Sequence, residues 1–164
     1  MMSDIYMSDR AVCELRREHL SQVAEIERLC FSEPWSESSL GLLLGGRDRV
    51  ENRGGVGFVC LLPDGEGQTV CAYGGMICVL DEGQITNIAT HPEYRRKGLG
   101  RCIVEALVGY ARQNGLATIS LEVRESNTAA IDLYKKFGFE VLGRRPKFYK
   151  APTEAALIMA LKVR

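Results

Sequence analysis

The chain has 164 residues, of which 46% are hydrophobic and 26% charged, and its 21 basic side chains equal its 21 acidic ones in number. This length fits one domain, residues 1–164, large enough to bury most of the surface that its unfolded chain exposes. A net charge of zero gives no overall attraction to nucleic acid or to an anionic membrane, so any anion site must be local.

The N-terminus, the cysteines and the histidines carry few functional signals. Residues 1–10, which we expect to form a flexible tail, lack the basic and apolar regions of a signal peptide, and no apolar run approaches the ~18 residues of a membrane span. The cysteines contain no C-x-x-C pair, and His19 and His91 lie away from them in sequence, so we expect no metal site. We expect a cytoplasmic protein, a monomer or a weak dimer, without nucleic-acid or membrane partners.

The first third of the chain predicts one edge strand and two helices. Residues 12–16 form the strand, and residues 18–31 have the apolar spacing of a helix. A second, short helix is expected from about Ser36 to the Gly45-Gly46 pair. The polar, glycine-rich segment 46–55 is interpreted as a flexible loop.

The rest of the chain predicts a strand meander followed by alternating strands and helices. Strands 56–62, 69–80 and 84–90 are separated by turns and should pair antiparallel. The elements that follow are helix 98–114, strand 118–123, helix 127–137 and strands 139–145 and 156–163. Strands 84–90 and 118–123 flank a helix, so they should run parallel with a right-handed crossover. The pattern predicts an α/β (α+β) fold, with a mixed, mostly antiparallel sheet of about seven strands and helices on both faces.

A basic, glycine-bearing segment opens helix 98–114 and reads Arg95-Arg96-Lys97-Gly98-Leu99-Gly100-Arg101. A helix N-terminus presents unpaired N–H groups and the positive end of the helix dipole, and the two glycines let a phosphate approach them. No P-loop pattern exists in the chain. The dinucleotide pattern G-x-G-x-x-G fails, because Ile103 takes the place of its third glycine and seven residues separate Thr90 from Gly98. The sequence therefore predicts a pyrophosphate-binding loop.

The pattern R-x-x-G-x-G at this helix resembles the acyl-CoA loop of the GNAT family of N-acetyltransferases; the alternative is a surface loop of solvated arginines. The resemblance implies acetyl-CoA as co-substrate, no metal, and a central parallel strand pair that splays apart so that the pantetheine arm bonds to an open strand edge. The cofactor-binding residues that it implies are Ile88, Ala89, Thr90, Arg95, Arg96, Lys97, Gly98, Leu99, Gly100, Arg101 and Asn127.

Two candidate catalytic side chains follow the loop. Glu122 lies at the C-terminal end of a central strand whose two faces should both be apolar, so its carboxylate needs an explanation. Either it faces a solvent-filled cleft and acts there as a base, or it is simply solvated or ion-paired. Tyr134 lies seven positions after Asn127, which places both near one helix face. A phenol can protonate a departing CoA thiolate, although Tyr134 can also be a core residue and Asn127 a simple helix cap.

The run LEVRESNTAAIDLYKKFGF, residues 121–139, closely resembles the bacterial Rim-type ribosomal-protein-alanine N-acetyltransferases within that family. Agreement covers residues 81–139 and 157–161, and the Pro34-Trp35-Ser36 turn also matches. The resemblance implies transfer of acetyl to the N-terminal amine, of alanine, on a small-subunit ribosomal protein, by direct attack in a ternary complex. It makes Glu122 the general base, acting through water, and Tyr134 the general acid.

The residues expected at the acceptor side, Trp35, Phe148 and Tyr149, include departures from the subfamily. Phe148-Tyr149 stands where the subfamily has two tyrosines, and Glu154-Ala155 where it has Glu-Asp. Two alternatives therefore stay open. One is an acetyltransferase that acts on a lysine or a small-molecule amine, and the other is a non-catalytic acyl-CoA-binding module.

Overall fold

The computed structural model describes residues 9–48 and 53–164. Most of the expected flexible tail and the middle of the expected loop at 46–55 lie outside these ranges. The strands are β1 Ala11–Glu14, β2 Gly46–Asp48, β3 Arg53–Asp64, β4 Gly67–Val79, β5 Glu82–Thr90, β6 Thr118–Arg124, β7 Glu140–Lys150 and β8 Thr153–Lys162. The helices are α1 Leu20–Cys30, α2 Glu37–Leu40, α3 Leu99–Gln113 and α4 Thr128–Lys136. Within the described ranges, no helix is both long enough and apolar enough to cross a membrane.

All the strands belong to one mixed sheet, in the order β1-β3-β4-β5-β6-β8-β7, with β2 paired to β3. Only β5 and β6, at its centre, are parallel neighbours among these pairs, as their crossover helix α3 predicts. They pair solely through residues 82–84 and 118–120, whereas β5 continues to Thr90 along β4. The expected splay of the central pair is therefore confirmed, and the far half of β5 has an open edge.

A β-bulge marks the point where the splay begins. Gly75 pairs with Asn87 and Met76 pairs with Ile85, so Thr86 is an extra residue in β5. A bulge bends its strand and re-aims the side chains on either side of it. The bend carries the end of β5 away from β6.

Helices cover both faces of the sheet, as predicted. On one face α3 and α4 pack through a core that includes Ile103, Leu107 and Ile131. Helix α3 comes very close to the sheet, since a Cβ on Gly74 would collide with Ile103 Cγ2. On the other face α1 and α2 pack through a second core around Val23 and Leu40. Each such fully buried aliphatic side chain contributes about 1.5–3 kcal/mol to the stability of the fold.

Three sequence-based boundaries are wrong. The expected loop at 46–55 contains β2 and the start of β3, because Gly55 allows close packing: a Cβ there would collide with the Leu42 carbonyl oxygen. The short helix that begins after Ser36 ends at Leu40 and continues as a 3-10 turn, Gly41–Leu43. Strand β7 extends past residue 145 to Lys150, since it resumes pairing with β8 after an irregularity.

Candidate active site

A groove of about 660 Å³ opens where β5 and β6 separate. The α1–α2 loop, α4 and the β7–β8 hairpin form its other walls. The groove collects these residues of the sequence-predicted site: Trp35, Ile88, Glu122, Asn127, Tyr134, Phe148 and Tyr149. Residues far apart in sequence, such as Trp35 and Tyr149, thus meet in one cavity, which is large enough for the reactive end of a substrate.

The end of β5 connects this groove to the start of α3. Ala89 is buried in the core on the α1 face, so only its backbone is available to a ligand at the open edge. The Thr90 carbonyl accepts a hydrogen bond from the Cys30 thiol at 3.3 Å. The Thr90 hydroxyl lies 3.9 Å from the position that a Cβ on Gly100 would take. The open strand edge therefore leads directly to the N-terminus of α3.

The glycine segment has the geometry of an anion site. Gly98 precedes α3 with φ +74°, a left-handed conformation that glycine adopts without strain, and Arg96 has φ +63°. A methyl group placed on Gly100 would make only ordinary van der Waals contact with its surroundings, because the nearest atom would be Leu133 Cδ2 at 3.7 Å. The Arg95 guanidinium contacts the Cys30 sulfur at 3.5 Å, and the Lys97 ammonium lies 5.5 Å from the Tyr94 ring centre. Unpaired N–H groups, the helix dipole and these cations fit a pyrophosphate.

Glu122 is both a groove residue and an ion-paired one. Its side chain is 20% exposed, and Oε1 lies 3.5 Å from Nη1 of Arg145 on β7. The Arg145 guanidinium is half exposed and lies 5.8 Å from the Phe148 ring centre. A pair of this exposure and length is weak and readily exchanged. Glu122 can therefore leave Arg145 for another cation that enters the groove.

Tyr134 is buried in the wall of the groove. Only 7% of the residue is exposed, and its ring packs against Phe139 at 5.8 Å between centroids. Burial, with a smaller contribution from Tyr149, raises the pKa of Tyr134 to about 12. The phenol therefore keeps its proton at neutral pH and can donate it to an anion. It serves the core as well, so the two interpretations of this residue are compatible.

Asn127 caps α4 and also lines the groove. Its Oδ1 accepts a hydrogen bond from the Ala130 N–H at 3.2 Å, which satisfies one of the unpaired donors of the helix. The cap uses the side-chain oxygen. The amide NH₂ group remains as the part that could donate to a ligand.

The β7–β8 hairpin is fastened to the end of β6 by Arg124. The guanidinium donates to the carbonyl of Pro152 at 3.0 Å and to Glu154 at 3.3 Å, and it stacks on the Tyr149 ring at 4.3 Å. Glu154 also accepts from the Ser126 N–H at 2.6 Å, and hydrogen bonding from Ser126 is the main reason why the pKa of that carboxyl group is lowered. These contacts hold the Phe148-Tyr149 wall over the groove.

Three polar residues in or next to the groove were not expected from the sequence: Glu27, Asn87 and Arg145. Glu27 left a signal, because it falls on the apolar face of α1 one turn after Val23 yet is 0% exposed. Asn87 is a weaker signal, because it is one of several polar residues in β5, among them Gln84 and Thr86. Nothing in the sequence indicated Arg145, since only the register of β7 brings it to Glu122.

The sequence model of the acetyltransferase (GNAT) family matches residues 20–139, well over half of the chain. The chain belongs to the GNAT acetyltransferase family. This GNAT acetyltransferase is 44% identical to a ribosomal protein bS18-alanine N-acetyltransferase of Salmonella typhimurium, with 85% of this chain and 88% of the relative covered. It is 35% identical to the Escherichia coli protein of that name, over 93% of this chain and 97% of the relative.

The fold comparison agrees with the sequence comparison. The crystal structure of a ribosomal-protein-alanine N-acetyltransferase from Escherichia coli superposes on this GNAT acetyltransferase with a TM-score of 0.78 at 34% identity, over 94% of each chain. The expected family and the expected GNAT fold are both confirmed.

Proposed function

We propose that this acetyltransferase transfers the acetyl group of acetyl-CoA to the N-terminal amine of ribosomal protein bS18, at an alanine, by direct attack in a ternary complex. The observation that carries this proposal is the groove, which is lined by Glu122, Tyr134 and the aromatic side chains of Trp35 and Tyr149. The alanine acceptor is supported by the names of relatives that match nearly the whole chain.

The donor would bind along the open edge of β5 and at the start of α3. The backbone of residues 88–90 would hydrogen-bond to the amides of the pantetheine arm, as an added strand would. Residues 95–101 would hold the pyrophosphate, with Gly98 and Gly100 allowing close approach. When bound, acetyl-CoA supplies the acetyl group as a thioester.

The side chains in the groove would move the protons. An N-terminal amine with a pKa near 8 is mostly protonated at neutral pH, so it must lose a proton before it can attack. Glu122 accepts that proton, directly or through water, after its weak contact with Arg145 is exchanged. The new C–N bond forms as the C–S bond breaks, and Tyr134, whose pKa of about 12 keeps it protonated, donates to the departing sulfur. The second proton that leaves the nitrogen restores the phenol.

The acceptor is tested by mass spectrometry with acetyl-CoA and a panel of amines. The panel contains a peptide that begins with the N-terminal sequence of bS18, the same peptide with a formylated N-terminus, a lysine peptide and a polyamine. We expect acetylation of the free alanine amine alone. Acetylation of only the lysine peptide or the polyamine would refute the acceptor, and CoA binding without any acetylated product would point to a non-catalytic module.

The same assay tests the base. We expect Glu122→Gln to lower kcat/KM by roughly 100-fold while acetyl-CoA still binds. Its residual rate should rise steeply with pH up to about 8, because the amine must then deprotonate unaided. Glu66→Gln, in the exposed β3–β4 turn, is the matched control and should behave as the unmodified protein. An unchanged pH–rate curve for Glu122→Gln would refute the role of Glu122.

A further inference from the structure

Helix α1 places one carboxylate, Glu27, entirely inside the protein beneath the groove. Glu27 is 0% exposed. Its Oε2 accepts a hydrogen bond from the Trp35 backbone N–H at 2.9 Å, and its Oε1 accepts from the Tyr73 hydroxyl and from the Asn87 amide nitrogen. One side chain thus joins α1, the α1–α2 loop, β4 and β5.

Three converging donors are what an ionised carboxylate requires. Burial raises the pKa of Glu27, and the hydrogen bonds from the Trp35 N–H and the Asn87 amide offset that rise only in part. It is the geometry, with a donor aimed at each oxygen, that fits the ionised form. A carboxylate has only acceptor sites, so each partner must present a hydrogen to it. The arrangement therefore fixes the polarity of each bond as well as its position.

This polarity determines which end of the Asn87 amide faces the groove. Because the NH₂ group must point at Glu27, the carbonyl oxygen on the same planar group must point away from it. Asn87 lines the groove, whereas Glu27 and Tyr73 do not. Among the described residues, no group donates a hydrogen bond to Asn87 Oδ1. Asn87 Oδ1 is therefore the end of the amide that remains available to a ligand in the groove, and Glu27 on the opposite side fixes which end that is.

Asn87 lies at the point where the two central strands separate. It directly follows Thr86, the bulge residue, at the mouth of the splay between β5 and β6. Thr86 also lines the groove, and its Oγ1 is buried without a hydrogen-bond partner among the described residues. Glu122 lies across the splay on β6. Unsatisfied polar atoms at such a point are expected to bind substrate or water.

We propose that Asn87 Oδ1 accepts a hydrogen bond from the acceptor amine, and that Glu27 is the positioning residue that fixes this oxygen toward the groove. The inference rests on the proposed N-acetyl transfer. An incoming ammonium has three N–H bonds. One proton goes to Glu122 and frees the lone pair that attacks, a second N–H is held by Asn87, and the third proton leaves when the C–N bond has formed and restores the Tyr134 phenol. Two acceptors thereby orient the lone pair, which a single base cannot do.

Glu27→Gln tests this arrangement while keeping the shape of the side chain. The Trp35 N–H can only donate, so the single amide oxygen of the new side chain must remain there. Its NH₂ group then faces Tyr73, whose hydroxyl can rotate to accept, and Asn87, whose amide must flip. The groove would acquire a donor in place of an acceptor. We expect kcat/KM for the peptide to fall about 10- to 100-fold, with the Kd of acetyl-CoA changed less than about twofold.

The double variant Glu27→Gln/Asn87→Asp reverses the polarity of the pair. The aspartate introduced in place of Asn87 would accept from the glutamine NH₂ group through one oxygen and present the other to the groove. We expect at least about tenfold recovery of kcat/KM relative to Glu27→Gln. Asn87→Ala, which leaves Glu27 and Trp35 in contact, is the second variant if Glu27→Gln does not fold, and it should show the same loss.

Val23→Ala is the control for loss of stability alone. Val23 is 0% exposed on the same helix and does not line the groove. Its variant should lower Tm and leave kcat/KM for the peptide unchanged. The inference is overturned if Glu27→Gln keeps full activity, if the folded double variant shows no recovery, or if Val23→Ala loses activity in proportion to its Tm. If the unmodified protein acetylates no peptide, the proposed function has failed instead.

Discussion

Tyr134 illustrates how one residue can pack in the core and also line the groove in which we place the chemistry. Its burial excludes water from the ring and simultaneously destabilises the phenolate, which raises the pKa of the hydroxyl group to about 12. A raised pKa means that the neutral phenol persists throughout the pH range of an assay. An acid in the groove is therefore available at any pH at which the acceptor amine can react.

At this scale we expect Tyr134→Phe to lower kcat about 10- to 100-fold without changing the affinity for acetyl-CoA. Steady-state kinetics and calorimetry measure the two effects separately. Since the pKa of Tyr134 lies near 12, kcat of the unmodified protein should show no descending limb from this group between about pH 7 and 10. Tyr110→Phe removes the same atom from α3 and serves as the control. Full activity of Tyr134→Phe would make the residue a packing residue only.

At the scale of elements, the N-terminus of α3 and the open edge of β5 form one continuous site. In the proposed donor site the helix would supply directed N–H groups and the strand its unpaired backbone, so both would bind through the main chain. Glycine is favoured there because it has no side chain between the ligand and the main chain. Gly100 is the clearest case, because its conformation is helical and a Cβ there would make only ordinary van der Waals contacts, so the fold itself does not require glycine there.

We therefore expect Gly100→Ala to keep or slightly increase the stability of the fold, by up to about 1 kcal/mol, while weakening acetyl-CoA binding at least about fivefold. The added methyl group would occupy the space through which the pyrophosphate approaches. Gly109→Ala is the matched control in the same helix, since nothing lies within 4 Å of its Cβ position. It should have the same effect on stability and none on binding. Equal affinities of the two variants for acetyl-CoA would contradict this placement of the pyrophosphate.

At the scale of the whole molecule, the sheet lies between two cores, and the gap between β5 and β6 connects its two faces. One core lies under α3 and α4, next to the proposed cofactor site, and the other lies under α1 and α2, next to the proposed acceptor site. The groove runs through the gap in the sheet, so residues from both faces line it. A ligand in this gap would contact both β5 and β6 where the two strands do not pair with each other.

Acetyl-CoA should consequently stabilise the entire fold. At 100 times its Kd we expect a gain of about 2.7 kcal/mol, which corresponds to a rise in Tm of roughly 5–10 °C for a chain of this size. Differential scanning calorimetry measures the shift. ATP at the same concentration controls for nonspecific binding of phosphates. An equal shift with ATP would refute selective binding of the CoA donor.

Much of the fold could be predicted because its signals are local. The alternation in β6, the helical spacing in α3 and the turn residues between strands each lie within short stretches of neighbouring residues. They sufficed for the mixed sheet, the parallel pair β5–β6 and the helices on both faces. The segment 46–55 was misjudged because its glycines look alike in sequence, whether they provide flexibility or, as at Gly55, close packing.

The sequence by itself determined the family, the strand–loop–helix unit that would hold the donor, and the identity of Glu122 and Tyr134 as candidates, because each depends on contiguous residues. Only the tertiary structure decided that Glu122 meets Arg145, and that Glu27 orients Asn87 from 60 positions away. These contacts depend on strand register and on the packing of α1 against the sheet. Such long-range geometry leaves almost no trace in any single stretch of sequence, and it is what shapes the acceptor side of the groove.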